Sequence, residues 1–277
     1  MSNKQTNTII ILALMSFVLL VTSVFTGYRY FKWRLSYQRL AHEYSYRGEV
    51  IHPKTTQEII DTTFSGDWMV QEIYQMLKDT TELFEKFEIK YAVESGTALG
   101  VIRHGGFIPW DDDVDIMLMQ EDEHKLIELA PELEKLGYKI LWDEDVYRIF
   151  LPNKLVHPEM SYTLPAIDIN IMFENKEKNT VEMVNWNMRK LYSKVWFPRD
   201  KFFPLKKYKF GPIEVYGPSD IEWHVKHYYG KNALKEIRMD PKIWLGKHSN
   251  IITVPSPVPD VFFKPALPKK PLLDNVN

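Results

Sequence analysis

The chain has 277 residues, enough for one sizeable core or two small ones. Hydrophobic residues make up 45% and aromatics 14%, which excludes disorder throughout, and a net charge of -2 without a basic stripe argues against a nucleic-acid binder. No cysteine is present, so there is no disulfide framework.

The amino terminus has its own composition. From Gln5 to Tyr28 no residue is charged, and Ile9 to Phe25 is almost wholly apolar. About 20 helical residues, each rising ~1.5 Å, cross a bilayer core. Residues 9–28 are therefore read as an uncleaved transmembrane signal-anchor helix behind a short tail, residues 1–8, with Tyr28, Tyr30, Phe31 and Trp33 at the interface. A cleaved signal peptide is the rival, but the preceding segment is weakly basic and no small-x-small cleavage site follows. Lys4 stands before the segment and Arg29, Lys32, Arg34 and Arg39 after it, a charge balance that favours a cytoplasmic catalytic domain. Residues 29–66 are polar with aromatics and read as a stem.

Residues 67–250 carry the pattern of a folded domain. Asp67 to Glu88 places Val70, Ile73, Leu77, Phe84 and Phe87 near helical spacing, with Asp67 as N-cap. Tyr91 to Val93 reads as a short strand, and Gly96 with Thr97 opens a short helix through Leu99 to Arg103. A second helix, Glu121 to Leu136, is interrupted at Pro131, and Tyr138 to Trp142 with Val146 to Leu151 form a strand pair around an acidic turn. The fold class is α/β (α+β): a mixed sheet flanked by helices, with carboxylates at its edge. Asp200 to Lys209 reads as a solvated loop, and residues 251–277, dense in proline, as an extended surface tail.

The chemistry concentrates in residues 91–119. Asp113 and Asp115 open an apolar run, VDIMLM, that reads as a buried strand. Side chains two apart on a strand share a face, so the two carboxylates point into one space, with Asp111 on the same parity and Asp112 facing away. Unpaired, they would repel and resist burial; a divalent cation removes that cost, and oxygen-only ligands suit Mg²⁺ or Mn²⁺. Asp168 is the lone acid in a second apolar strand, Ala166 to Ile171, and pairs either with the cation or with Arg148. Gly96 and Thr97 leave backbone N–H groups for a phosphate. Arg103 and His104 either reach that phosphate or cap the preceding helix, and Arg148 either contacts a phosphate or pairs with Asp168. Trp110 either stacks on a base or sugar or packs in the core.

The block GTALGVIRHGGFIPWDDDVDI resembles the signature of the LicD/fukutin family, phosphotransferases built on the nucleotidyltransferase fold. AIDIN is similar to the family's later carboxylate strand, and Phe203 to Leu205, FGPIEVYGPSD and Tyr228 to Gly230 resemble its distal blocks in the same order, together covering roughly residues 67–230. The resemblance implies a nucleotidyltransferase-like fold. It also implies catalytic, metal-binding Asp113, Asp115 and Asp168, with Asp168 receiving the acceptor's proton; Asp111 joins the metal ligands on strand parity. Gly96 and Thr97 become contacts to the nucleotide phosphates, while Arg103, His104 and Arg148 keep the two roles given above.

Such enzymes move a phosphorylated alcohol or sugar phosphate from a nucleotide-diphosphate donor, for example a CDP-alcohol, to a glycan or glycoprotein acceptor. The resemblance further implies a single-pass membrane protein with a Golgi-lumenal enzyme, the opposite of the charge balance. A DxD glycosyltransferase and a non-enzymatic scaffold of a glycosylation complex are the alternatives.

Overall fold

A computed structural model describes residues 55–143, 145–156, 161–239, 252–254 and 256–276, together with the backbone of two short strands. Those strands, Glu49–Val50 and Lys247–His248, pair in parallel and belong to a separate small unit. The expected anchor at 9–28 and most of the stem lie outside the described residues. Among the described residues, no helix is long and apolar enough to cross a membrane.

The domain begins with α1 (Thr56–Thr63), closed by a reciprocal capping box between Thr55 and Glu58 inside the stretch read as stem. Next is α2 (Asp67–Lys86), a 20-residue helix. Its N-cap is Gly66, so Asp67 is the first helical residue and not the cap, a position where its charge still favours the helix dipole. Strand β1 (Tyr91–Val93) leads into α3 (Ser95–Leu99) and a π-helical turn, Gly100–His104, which ends on left-handed Gly105 with φ 73°.

Strand β2 (Asp113–Met119) is followed by a 3₁₀ turn and α4 (Glu123–Glu128), then α5 (Ala130–Lys135). The break between these helices falls where Pro131 cannot donate a helical hydrogen bond. Strands β3 (Lys139–Asp143), β4 (Val146–Val156), β5 (Thr163–Asn175) and β6 (Thr180–Met183) complete most of the sheet. Then come α6 (Trp186–Leu191), β7 (Trp196–Pro198), α7 (Arg199–Phe202), the hairpin β8 (Lys206–Phe210) and β9 (Ile213–Gly217), and α8 (Ile221–Tyr229). The segment expected as a solvated loop is thus a helical turn and a strand.

The main sheet runs β1-β2-β5-β4-β3, with β6 and β7 continuing from the end of β5. Only β2 and β5 pair in parallel; every other pair in it is antiparallel, the mixed sheet expected. Alternation along β2 sorts its side chains to two cores. Val114, Ile116 and Leu118 join Ile73, Leu77 and Phe84 of α2 in the larger core. Met117 and Met119 join Met172, Met183, Phe197 and Phe202 on the opposite face, where Trp223 and Tyr228 of α8 also pack. That second face is apolar at one end of β2 and acidic at the other, because Asp113 and Asp115 continue the row of Met117 and Met119.

The proline-dense carboxyl end is not a free surface tail. Phe262 is fully buried, and Ala266 bridges Phe107. Gln71 accepts from Lys270 N–H at 2.9 Å, Gln75 accepts from Leu273 N–H at 2.8 Å, and Asn275 donates to Asp79 at 2.9 Å. Proline prevents helix here, and the glutamines one turn apart on α2 take up the extended backbone instead.

Candidate active site

Strand register builds the site. Asp115 on β2 stands opposite Asp168 on β5, and Asp168 in turn stands opposite Arg148 on β4. Glu94 extends the row on the other side, its N–H donating to Asp115 O at 3.1 Å just beyond the end of β1. Residues directly opposite in a sheet share a face, so three acids and one arginine line up across four strands. Asp113, two residues before Asp115, shares that face.

The acidic turn ahead of β2 adds to this row. Carboxylate oxygens of Asp111, Asp112 and Asp113 lie within 4.8 Å of one another. Asp112 was expected to face away, but β2 starts only at Asp113, so strand alternation does not govern the two residues before it. Ser65 hydroxyl donates to Asp111 O, and Asp112 N–H donates to Asp111 Oδ1 at 3.2 Å, fixing the turn.

Crowding like charges in a poorly solvated place shifts their titration. Burial first, then the charges of Asp115, Asp111, Asp112 and Asp168, hold the Asp113 carboxyl well above its ordinary range. Asp115 is raised by burial, then by Glu94, Asp168 and Asp111, against a hydrogen bond from Gly96 N–H. Asp168 is pushed up by burial to about 6, opposed chiefly by Arg148. Glu94 is fully buried and pushed up to about 8, although Asn170 donates to its Oε1 at 2.7 Å.

Two oxygens in this group, Asp168 Oδ1 and Glu94 Oε2, are buried without a hydrogen-bond partner. Orphaned acceptors among repelling carboxylates fit a divalent cation, and the all-oxygen donor set fits Mg²⁺ or Mn²⁺.

Gly96 sits against the cluster: a Cβ there would lie 2.9 Å from Asp111 Oδ2 and 3.6 Å from Asp115 Oδ2. Its N–H serves the Asp115 carboxylate, and Thr97 hydroxyl accepts from Asp115 N–H at 2.8 Å. Both groups expected to face a phosphate thus hold Asp115.

Arg148 Nε lies 3.3 Å from Asp168 Oδ2, its Nη1 donates to Asp143 O at 2.7 Å, and its guanidinium covers the Tyr162 ring at 4.5 Å. Of its two expected roles, the structure shows the pair with Asp168. Arg103 donates to the carbonyls of Ala233 and Glu236, both at 3.1 Å. His104 is buried and its Nε2 donates to Phe262 O at 3.1 Å. Arg103 nonetheless lies within electrostatic reach of Tyr229 and Asp111, whereas His104 is turned to the Phe262 carbonyl. Trp110 packs with Phe64, His104 and Phe262 in the core.

Sequence reasoning missed Glu94 and gave Asn170 no site role, and it marked Tyr228 and Tyr229 only as part of a distal block of the family resemblance. Glu94 closes an apolar strand as a lone acid, the same signal that marked Asp168. Asn170 shares the Asp168 face at i+2. Tyr229 is 42% exposed, yet desolvation and then the charges of Asp115, Tyr228, Asp111 and Asp113 raise its phenol, a proximity created by the packing of α8.

The family model described as LicD/FKTN/FKRP, nucleotidyltransferase domain, matches residues 88–220. Uncharacterised protein RP689 of Rickettsia prowazekii is 39% identical over 212 residues, 74% of this chain and 72% of that protein. Two relatives with named activities match over shorter stretches. The lipopolysaccharide cholinephosphotransferase LicD of Haemophilus influenzae is 40% identical over 64 residues, 23% of this chain and 24% of that protein. The mouse ribitol 5-phosphate transferase FKRP is 35% identical over 63 residues, 21% of this chain and 13% of that protein. The expectation of a Golgi-lumenal enzyme is overturned: relatives matched over 74% of the chain come from Rickettsia prowazekii and Rickettsia typhi, and bacteria have no Golgi.

Proposed function

We propose that this chain, which belongs to the LicD/FKTN/FKRP family and resembles two relatives with named phosphotransferase activities, uses a divalent cation to transfer a phosphorylated alcohol or sugar phosphate from a nucleotide-diphosphate donor to a glycan acceptor. The observation that carries this reading is the register of Asp115 against Asp168 beside the Asp111–Asp113 cluster. Asp111, Asp113, Asp115 and Asp168 would hold Mg²⁺ or Mn²⁺, with Asp112 added from the geometry. The cation supplies charge neutralisation on the donor pyrophosphate.

The protein's own groups do the rest. Arg148 holds Asp168 Oδ2, so Oδ1 is the oxygen that would meet the cation and, through its second lone pair, take the acceptor hydroxyl's proton. The acceptor oxygen forms the new P–O bond, the bond from that phosphorus to the bridging oxygen breaks, and a nucleoside monophosphate leaves. Gly96, with no side chain, lets the donor diphosphate approach the carboxylates closely. Positioning and electrostatics then provide most of the acceleration.

Thermal stability of the chain against CDP-choline, CDP-ribitol, GDP-mannose and UDP-sugars, each with Mg²⁺ or Mn²⁺, tests this reading. Binding raises stability by mass action. A metal-dependent shift with one donor class supports it, and a flat response to every nucleotide counts against it.

A further inference from the structure

We propose that His224 is a positioning residue for this site: it grips the amide of Ser95 and so fixes the turn that sets Gly96 against Asp111 and Asp115. The inference rests on the reading that those aspartates bind the cation.

His224 lies on α8, the helix covering the acidic face, and is fully buried. Its ring stacks on Phe197 with centroids 4.5 Å apart, and its Nε2 accepts from Ser95 N–H at 3.2 Å. A ring nitrogen that accepts carries no proton, so in the neutral ring the proton is on Nδ1. That Nδ1 is buried without a hydrogen-bond partner. An unpartnered buried donor costs stability, and for stacking on Phe197 a phenylalanine would serve as well. What histidine adds over phenylalanine is the acceptor on Ser95.

The backbone it grips is under strain. Ser95 has φ 42°, in the left-handed region that non-glycine residues seldom occupy, and such residues persist where the surroundings over-determine them. Tyr228, one turn further along α8, adds a hydrogen bond to the Ser95 side chain. The next residue is Gly96, whose N–H reaches the Asp115 carboxylate and whose Cα faces Asp111 Oδ2. A rigid path therefore runs from the Phe197 stack through His224, Ser95 and Gly96 to two cation ligands. Outer partners of this kind orient ligands and typically govern metal affinity by about 10–100-fold.

The test compares His224→Phe, which keeps the stack and removes the acceptor, with His224→Gln, which restores an acceptor. Mn²⁺ binding to the 277-residue chain is titrated through the paramagnetic resonance signal of the free ion. Melting temperature is measured in chelator. The expected result is Mn²⁺ affinity about tenfold or more weaker in His224→Phe, with no fall in melting temperature, and recovery in His224→Gln. Adding Ser95→Gly, which relieves the left-handed strain, recovers part of the loss in the His224→Phe background. The inference is overturned if His224→Phe binds Mn²⁺ within about twofold of wild type. It is equally overturned if that variant fails to fold, or if its loss follows a lowered melting temperature without recovery in either second variant. Absence of Mn²⁺ binding in wild type would instead remove the metal-site reading itself, and the inference with it.

Discussion

Asp115 and Asp168 face each other in register across the only parallel strand pair of the main sheet. Two carboxylates opposite one another on a shared face are mutually destabilising without a cation between them. Function and stability should therefore oppose each other here. Asp115→Asn should lower transfer at least about 10²-fold while raising the melting temperature in chelator by about 2–4 °C, read from turnover and a calorimetric scan of the same preparation. A variant both inactive and less stable would show the carboxylate to be a structural partner.

Gly96 has a steric prediction. A methyl there lands 2.9 Å from Asp111 Oδ2, inside van der Waals contact, so the acidic turn must shift. Gly96→Ala should weaken Mn²⁺ binding about tenfold while changing the melting temperature little, because the displaced group is a carboxylate at the site and not core. Equal metal affinity in both proteins would argue against Gly96 lining the site.

Arg148 separates two chemistries. Paired with Asp168 it acts through the carboxylate, so Arg148→Met should lower kcat about 10–100-fold and leave the donor KM nearly unchanged. A phosphate-contacting arginine would instead raise KM. Arg148→Lys should recover little, since a single ammonium cannot reach Asp168, the Asp143 carbonyl and the Tyr162 face together.

The carboxyl-terminal strap should hold α2 in place. Gln71 and Gln75 each bond a backbone N–H of the strap, and Asp79 accepts from Asn275. At about 0.5–1.5 kcal/mol per hydrogen bond, ending the chain after Pro268 should cost a few kcal/mol in denaturant unfolding. Unchanged stability would mean that the strap is idle.

Acid sensitivity follows from two buried imidazoles. Burial holds His104 and His224 down to about 3 from the ordinary 6.5, so both are neutral in the fold. Between pH 6.5 and about 3 the unfolded chain binds protons that the folded chain does not, so their contribution is full above 6.5 and is lost as pH falls. His104→Gln, which keeps a donor for the Phe262 carbonyl, should reduce the stability lost between pH 7 and 4.5 by roughly 2–3 kcal/mol. An identical pH slope in both proteins would place a charged imidazole in the fold.

How far the sequence foretold the site depended on whether a local rule governed each residue. Period-two alternation reached Asp113 and Asp115, and a lone acid among hydrophobes marked Asp168, because strand geometry fixes which face a residue takes. The same rule misplaced Asp112, since it was carried two residues beyond the start of β2. Helices came through where apolar spacing repeats, as in α2, and the proline break came through at Pro131. Glu94 and His224 did not emerge, and Tyr229 emerged only through a family block with no role attached, because strand register and the packing of α8 bring them to the carboxylates from distant parts of the chain. The strap was misread for a related reason: proline density forbids helix but says nothing about whether a neighbouring helix offers glutamines to an extended backbone.

The most direct test of the central claim is the identity of the nucleotide released on incubation with a CDP-alcohol, a glycan acceptor and Mg²⁺ or Mn²⁺. Phosphorylated-alcohol transfer predicts CMP in equal amount to the new phosphodiester, abolished by chelator and by Asp168→Asn. Release of a nucleoside diphosphate from a UDP-sugar or GDP-sugar, with the sugar transferred free of phosphate, would contradict it.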